Sequence, residues 1–183
     1  MNSADSTSDR RKDAIRRELE TARSEFHALL DSLSDEGWER QSLNPAWTNG
    51  HLLFHITLGF GLIPSLLPLI RLFGRLPLGY SRPFASLLNW FTPLFNRVNA
   101  IAPLVGVRIY SRESLGKKFD SVLDAIVKRL DLTVDEEWES GMYAPVKWEP
   151  RFAEYMKIED FFRYPVVHFQ HHKTQFVAEE LSK

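Results

Sequence analysis

The chain has 183 residues, with 23 Lys+Arg against 24 Asp+Glu, 44% apolar and 26% charged residues, and no cysteine. This is the composition of one ordinary globular domain, which excludes disordered, collagenous and low-complexity classes. Without a thiol, disulfides, Cys-zinc sites, iron–sulfur clusters and cysteine nucleophiles are excluded too, so any metal must be held by histidine and carboxylate.

Residues 1–9 are polar and carry no apolar run of the secretory type. They read as a mobile tail on a single domain spanning 1–183, and the expected location is the cytoplasm. The first helix follows, over about residues 8–33. Ile15, Leu19, Ala22, Phe26, Leu29 and Leu33 step by four and three along it, which is one apolar stripe at helical period. Its other face carries Arg, Glu and Asp, and His27 sits off the stripe, where exposure is expected.

A second helix starts near Thr48, a suitable N-cap, and should end or kink before Pro64. Around it the charge pattern changes. Positions 41–112 contain no Asp or Glu and six arginines, so this stretch is +6 and the remainder −7. Six of the ten prolines fall within 59–109. That segment reads as an apolar insert of broken helices, each about ten residues long, in a charged scaffold. Prolines and glycines within 51–70 argue against a bilayer span, although these twenty residues carry no charge.

A third helix starts at Ser111 or Ser114 and runs to about Asp131, with Leu115, Phe119, Val122, Ile126 and Leu130 as its stripe. A fourth runs from about Ile158 to Leu181, with a kink expected at Pro165. A weak internal echo links the halves. Leu30-Asp31 and then Asp35-Glu36-Gly37-Trp38 resemble Leu130-Asp131 and then Asp135-Glu136-Glu137-Trp138. Two packed helical hairpins make an all-α four-helix bundle, and no strand-like run demands a sheet of more than marginal size.

The histidines carry the functional signal. His51 and His55 are four apart on the second helix, as are His168 and His172 on the fourth, with His171 beside them. A separation of four stacks two imidazoles on one helical face. One such pair arises easily by chance, but two clusters on two helices can hold a divalent ion by three nitrogens and leave positions open, which is the catalytic arrangement. Phe161, Pro165, His168, His172 and Gln175 share a face, and His171 lies about 100° away from it. His51 and His55 share a face, so periodicity does not choose between them.

The run Asn44-Pro45-Ala46-Trp47-Thr48 followed by His51-Leu52-Leu53-Phe54-His55 resembles the second-helix signature of the DinB/YfiT-like superfamily of metal-dependent enzymes, in which a ligand His follows a Trp by eight residues. His168 to Gln175 resembles that family's C-terminal H-x-x-x-H element, and Asp35-Glu36-Gly37-Trp38 also fits. The resemblance covers 10–58 and 110–182. It implies a DinB-like bundle, often a homodimer, with His55, His168 and His172 holding a divalent ion, Zn or Ni. It further implies hydrolase or thiol S-transferase chemistry on a small-molecule substrate.

Three neutral imidazoles leave the full charge of an ion at its open positions, which suits water activation and thiolate binding alike. A hydrolase also needs a general base. Asp120, Asp124, Glu159 and Asp160 are candidates by position in the bundle, though solvated helix-face charge accounts for them as well. The competing expectation is a non-catalytic bundle that binds an apolar or anionic ligand, a lipid surface or a protein partner through 59–109. For the insert itself, a lid or dimer surface ranks ahead of membrane-surface contact. Six arginines over 72 residues are too diffuse to suggest nucleic acid.

Overall fold

The computed structural model describes residues 3–177. In chain order these form α1 (Ser3–Asp31), α2 (Asp35–Glu39), α3 (Asn49–Gly74), α4 (Ser81–Trp90), α5 (Thr92–Ile109) and α6 (Arg112–Asp131). A 3₁₀ turn (Asp135–Glu139), strands β1 (Gly141–Tyr143) and β2 (Tyr155–Lys157) and helix α7 (Ile158–Lys173) complete it. The four principal helices are α1, α3, α6 and α7, and the fold is an all-α bundle. β1 and β2 form the one sheet among the described residues, a two-stranded antiparallel ribbon with Met142 opposite Met156.

The apolar stripes become the core. Ile15, Leu19, Ala22 and Phe26 of α1 are fully buried, as are Phe119, Leu123, Ile126 and Leu130 of α6. The rings of Phe26 and Phe119 stack with centroids 3.8 Å apart, and Phe60 of α3 meets Phe119 edge-on at 4.9 Å. Two stripe positions shift by one residue. Leu30 rather than Leu29, and Leu123 rather than Val122, are the buried members. The internal echo becomes a structural one, because Asp35–Glu39 and Asp135–Glu139 are both short helical turns that bury a tryptophan, Trp38 and Trp138.

The second helix does not end at Pro64. α3 runs through Pro64 and Pro68 to Gly74, and α5 runs through Pro103. A proline costs a helix interior about 3 kcal/mol. Here α3 is packed by α5, α6 and α7, and Leu52, Leu53, Ile56, Phe60, Ile63, Leu67 and Ile70 are buried along its whole length. That burial outweighs the lost backbone bonds. α3 is long and apolar enough to cross a bilayer, but in this fold it is the central helix of the bundle. Residues 59–74 thus belong to the core, and 75–109 pack on its outside.

α5 lies against α3 at a close approach. A Cβ on Gly106 would come within 2.3 Å of the Phe54 ring, so only glycine lets the two helices meet there. The expected fourth helix is shorter than its pattern, since α7 ends at Lys173 and residues 178–181 lie outside the described chain.

Candidate metal centre

His55 projects from the N-terminal third of α3. Thr48 caps that helix as its sequence predicts, with its Oγ accepting the His51 N–H. In return His51 Nδ1 lies 3.1 Å from the Thr48 backbone N–H, which donates to it. This capping box occupies His51 and leaves His55, one turn on, to face the interior. The tie between the two histidines is therefore broken by local backbone chemistry. The Trp47 indole packs over the His55 ring, with centroids 4.5 Å apart.

From α7, His168 and His172 point at His55. Both Nε2 atoms lie 3.1 Å from His55 Nε2, and donor atoms of all three residues lie within 4.8 Å of one another. All three rings are buried. Gly59, one turn after His55, makes room for His168, since a Cβ there would fall 2.8 Å from its Nδ1. Pro165 remains inside α7, one turn before His168.

The tautomer of His172 is set by its neighbour. Gln175 Oε1 lies 3.0 Å from His172 Nδ1, so Nδ1–H donates to the amide oxygen and the Nε2 lone pair faces the other histidines. Gln175 Nε2 donates in turn to His171 Nε2 at 3.2 Å. His171 lines the same cavity but is not one of the three clustered donors. Gln175 is itself clamped through its own backbone, whose carbonyl accepts from Leu43 N–H at 2.9 Å. Beside it, the fully buried Asn49 amide donates to the carbonyls of Gly37 and Val177 at 3.0 Å each.

Burial pushes the His55 imidazole down to about 3, with the nearby His172 acting in the same direction. Burial holds His168 well below the usual imidazole range, and lowers His172 against the opposing Gln175 bond. All three are neutral at physiological pH, the state a metal requires.

A neutral imidazole has one lone pair and one N–H, so His55 Nε2 cannot satisfy two facing Nε2 atoms at once. His55 Nδ1 and His168 Nδ1 are buried without hydrogen-bond partners among the described residues. Ligands about 2.05 Å from a tetrahedral ion lie about 3.3 Å apart, close to the two spacings from His55 Nε2. The donor set fits a divalent ion. Imidazole nitrogens suit several transition metals, so the ligands alone do not select one.

The three histidines line a cavity of about 770 Å³. One wall is apolar, with Phe54, Leu58 and Leu62 from α3, Phe95 and Val98 from α5, and Phe152. The four carboxylates expected as bases are elsewhere. Asp120 meets Arg23 and His27, Asp124 meets Arg23, Glu159 meets Arg163, and Asp160 accepts from the Lys157 N–H. His27, expected to be exposed, is half-buried against Asp120 at 2.9 Å.

The carboxylate lining the cavity is Glu149, in the loop between β1 and β2. Its side chain is 13% exposed and accepts from the Tyr164 hydroxyl at 3.1 Å and from Arg151 Nη1 at 2.9 Å. Burial and this carboxylate together push the Tyr164 phenol up, so it stays protonated as a donor. The loop is fixed from outside. Trp148 Nε1 donates to Leu88 O at 2.7 Å, and its ring stacks on Phe95 at 4.3 Å. Sequence reasoning missed Glu149 because strands three residues long carry no periodic signal.

A helical bundle with three convergent, neutral histidines at a cavity defines a class of metal-site proteins. The DinB superfamily model matches residues 18–176, and the chain belongs to that superfamily. No curated protein and no solved structure matches the chain.

Proposed function

We propose that the protein is a metal-dependent hydrolase, with His55, His168 and His172 holding one divalent ion, Zn or Ni, and with a small-molecule substrate that is apolar and carries an anionic group. The observation that carries this reading is the convergence of three neutral imidazoles on a cavity whose one lining carboxylate among the described residues is Glu149. When bound, the ion would polarise water, lowering its pKa to about 7. Glu149 takes up the proton released by the attacking water and returns it to the leaving group. Tyr164 and Arg151 hold the carboxylate in place. Arg151 and Lys118, both in the cavity lining, present positive charge to an anionic group of the substrate. The wall of Phe54, Leu62 and Phe152 excludes bulk water and takes the apolar part.

The test is hydrolysis of p-nitrophenyl esters by zinc-loaded and chelated protein, with Glu149→Gln as the key variant. Metal-dependent turnover should fall by about 10²–10⁴ in Glu149→Gln while metal content is retained. Turnover that requires an added low-molecular-weight thiol and ignores Glu149→Gln would replace hydrolysis with thiol transfer.

A further inference from the structure

The helices α4 and α5 carry a surface that the site does not use. Along α5, Leu94, Val98, Ile101, Val105 and Ile109 step by four, three, four and four and point outward; Trp90, at the end of α4, is exposed as well. Trp90 is 73% exposed, Ile101 55% and Ile109 69%. Of the nineteen exposed large hydrophobic residues among those described, thirteen lie between Leu72 and Ile109. Their concentration on one unit separates this face from the scattered apolar residues any soluble surface shows.

The charges on the same unit are equally one-sided. The flanking Arg71 of α3 and Arg112 of α6 reach scaffold carboxylates, Glu137 and Asp35, and within the unit Arg82 reaches Glu154. Arg75, Arg97 and Arg108 are exposed and make no ion pair or hydrogen bond among the described residues. Arg97 and Arg108 fall on the outward face of α5, within the stripe that holds Leu94, Ile101 and Leu104.

We propose that this face docks the protein on an anionic lipid surface, with α5 lying in the plane of the interface. Unpaired arginines interleaved with exposed aliphatic and aromatic side chains form an amphipathic interfacial helix. At 18 residues α5 is about 27 Å long, enough to lie flat and insert several side chains. Trp90 and Tyr80, both strongly exposed, have the apolar body and polar tip that favour the headgroup level. A second copy is the poorer occupant. A two-fold contact through this face sets the same patch against itself, and residues 41–112 offer no carboxylate to neutralise the arginines brought together. An anionic bilayer supplies that neutralisation. Val98 belongs to this face and also lines the cavity, so the cavity opens beside the docked surface. The proposal does not depend on the reaction catalysed.

The experiment is co-sedimentation of the full-length protein with phosphatidylcholine vesicles, with and without phosphatidylglycerol. Binding should require phosphatidylglycerol and weaken with added salt. The Arg97→Gln, Arg108→Gln double variant should partition about thirtyfold less, about fivefold per arginine. Ile101→Asp should abolish binding with an unchanged circular dichroism spectrum. Failure of the folded protein to bind anionic vesicles, or binding indifferent to these variants, overturns the proposal. So does a dimer in size-exclusion chromatography that Ile101→Asp disperses without any vesicle binding, which assigns the face to a second copy. Vesicle binding lost in Ile101→Asp while ester hydrolysis persists supports the docking surface separately from the catalytic reading.

Discussion

Arg71 and Arg97 lie in the same acid-free stretch of sequence, yet Arg71 meets Glu137 while Arg97 meets no carboxylate among the described residues. Phe119 and Trp90 are both large aromatics on helices, yet Phe119 is fully buried and Trp90 is 73% exposed. The first member of each pair belongs to the bundle scaffold and the second to α4–α5. The scaffold closes its apolar faces on one another and pairs many of its arginines with carboxylates. The α4–α5 unit lays one face on α3 and leaves the other, apolar and cationic, without a partner. The candidate metal site sits where the two regions meet, its three histidines from the scaffold and one cavity wall from α5.

The largest expected effect separates the regions directly. Phe119→Ala removes a ring packed between Phe26 and Phe60 and should cost about 3–5 kcal/mol. Ile101→Ala on the outer face should stay within about 0.5 kcal/mol. Urea unfolding midpoints check the pair, and similar losses would mean that the outer face is covered in solution.

Proton linkage comes next. His55 titrates near 3 in the fold against 6.5 ordinarily, so between these values the unfolded chain holds more protons than the folded one. Stability of the metal-free protein is therefore complete above about pH 6.5 and declines as pH falls. His55 alone should remove about 2 kcal/mol between pH 6.5 and 5. Urea midpoints after chelation measure this, and a flat profile across that range would contradict neutral, buried histidines.

Smaller effects probe the support of the site. Gly59→Ala should force His168 aside and cost about 1–3 kcal/mol. Gln175→Leu strips the buried His172 Nδ1–H of its acceptor and should cost about 1–3 kcal/mol while weakening metal binding by about 10–100-fold, read by chelator competition.

Much of this was legible in the residues. The stripes of the first and third helices, the Thr48 cap and the paired tryptophan turns are local patterns, and local patterns survive into the fold. The continuity of α3 through Pro64 and Pro68 was not legible, because tertiary burial on three sides overrides a local breaker. The choice of His55 over His51 was open to periodicity and rested on the Trp47 spacing, whereas its physical cause is a capping bond seen only in three dimensions. Glu149 was invisible because a long-range loop, not a helical repeat, delivers it to the cavity.

The central claim is that three histidines from two helices form one metal site. Elemental analysis of protein purified without a chelating affinity tag tests it most directly. The account predicts one divalent ion per chain, lost in His55→Ala and in His168→Ala and retained in His171→Ala. Stoichiometric metal in a His168→Ala, His172→Ala double variant would contradict it.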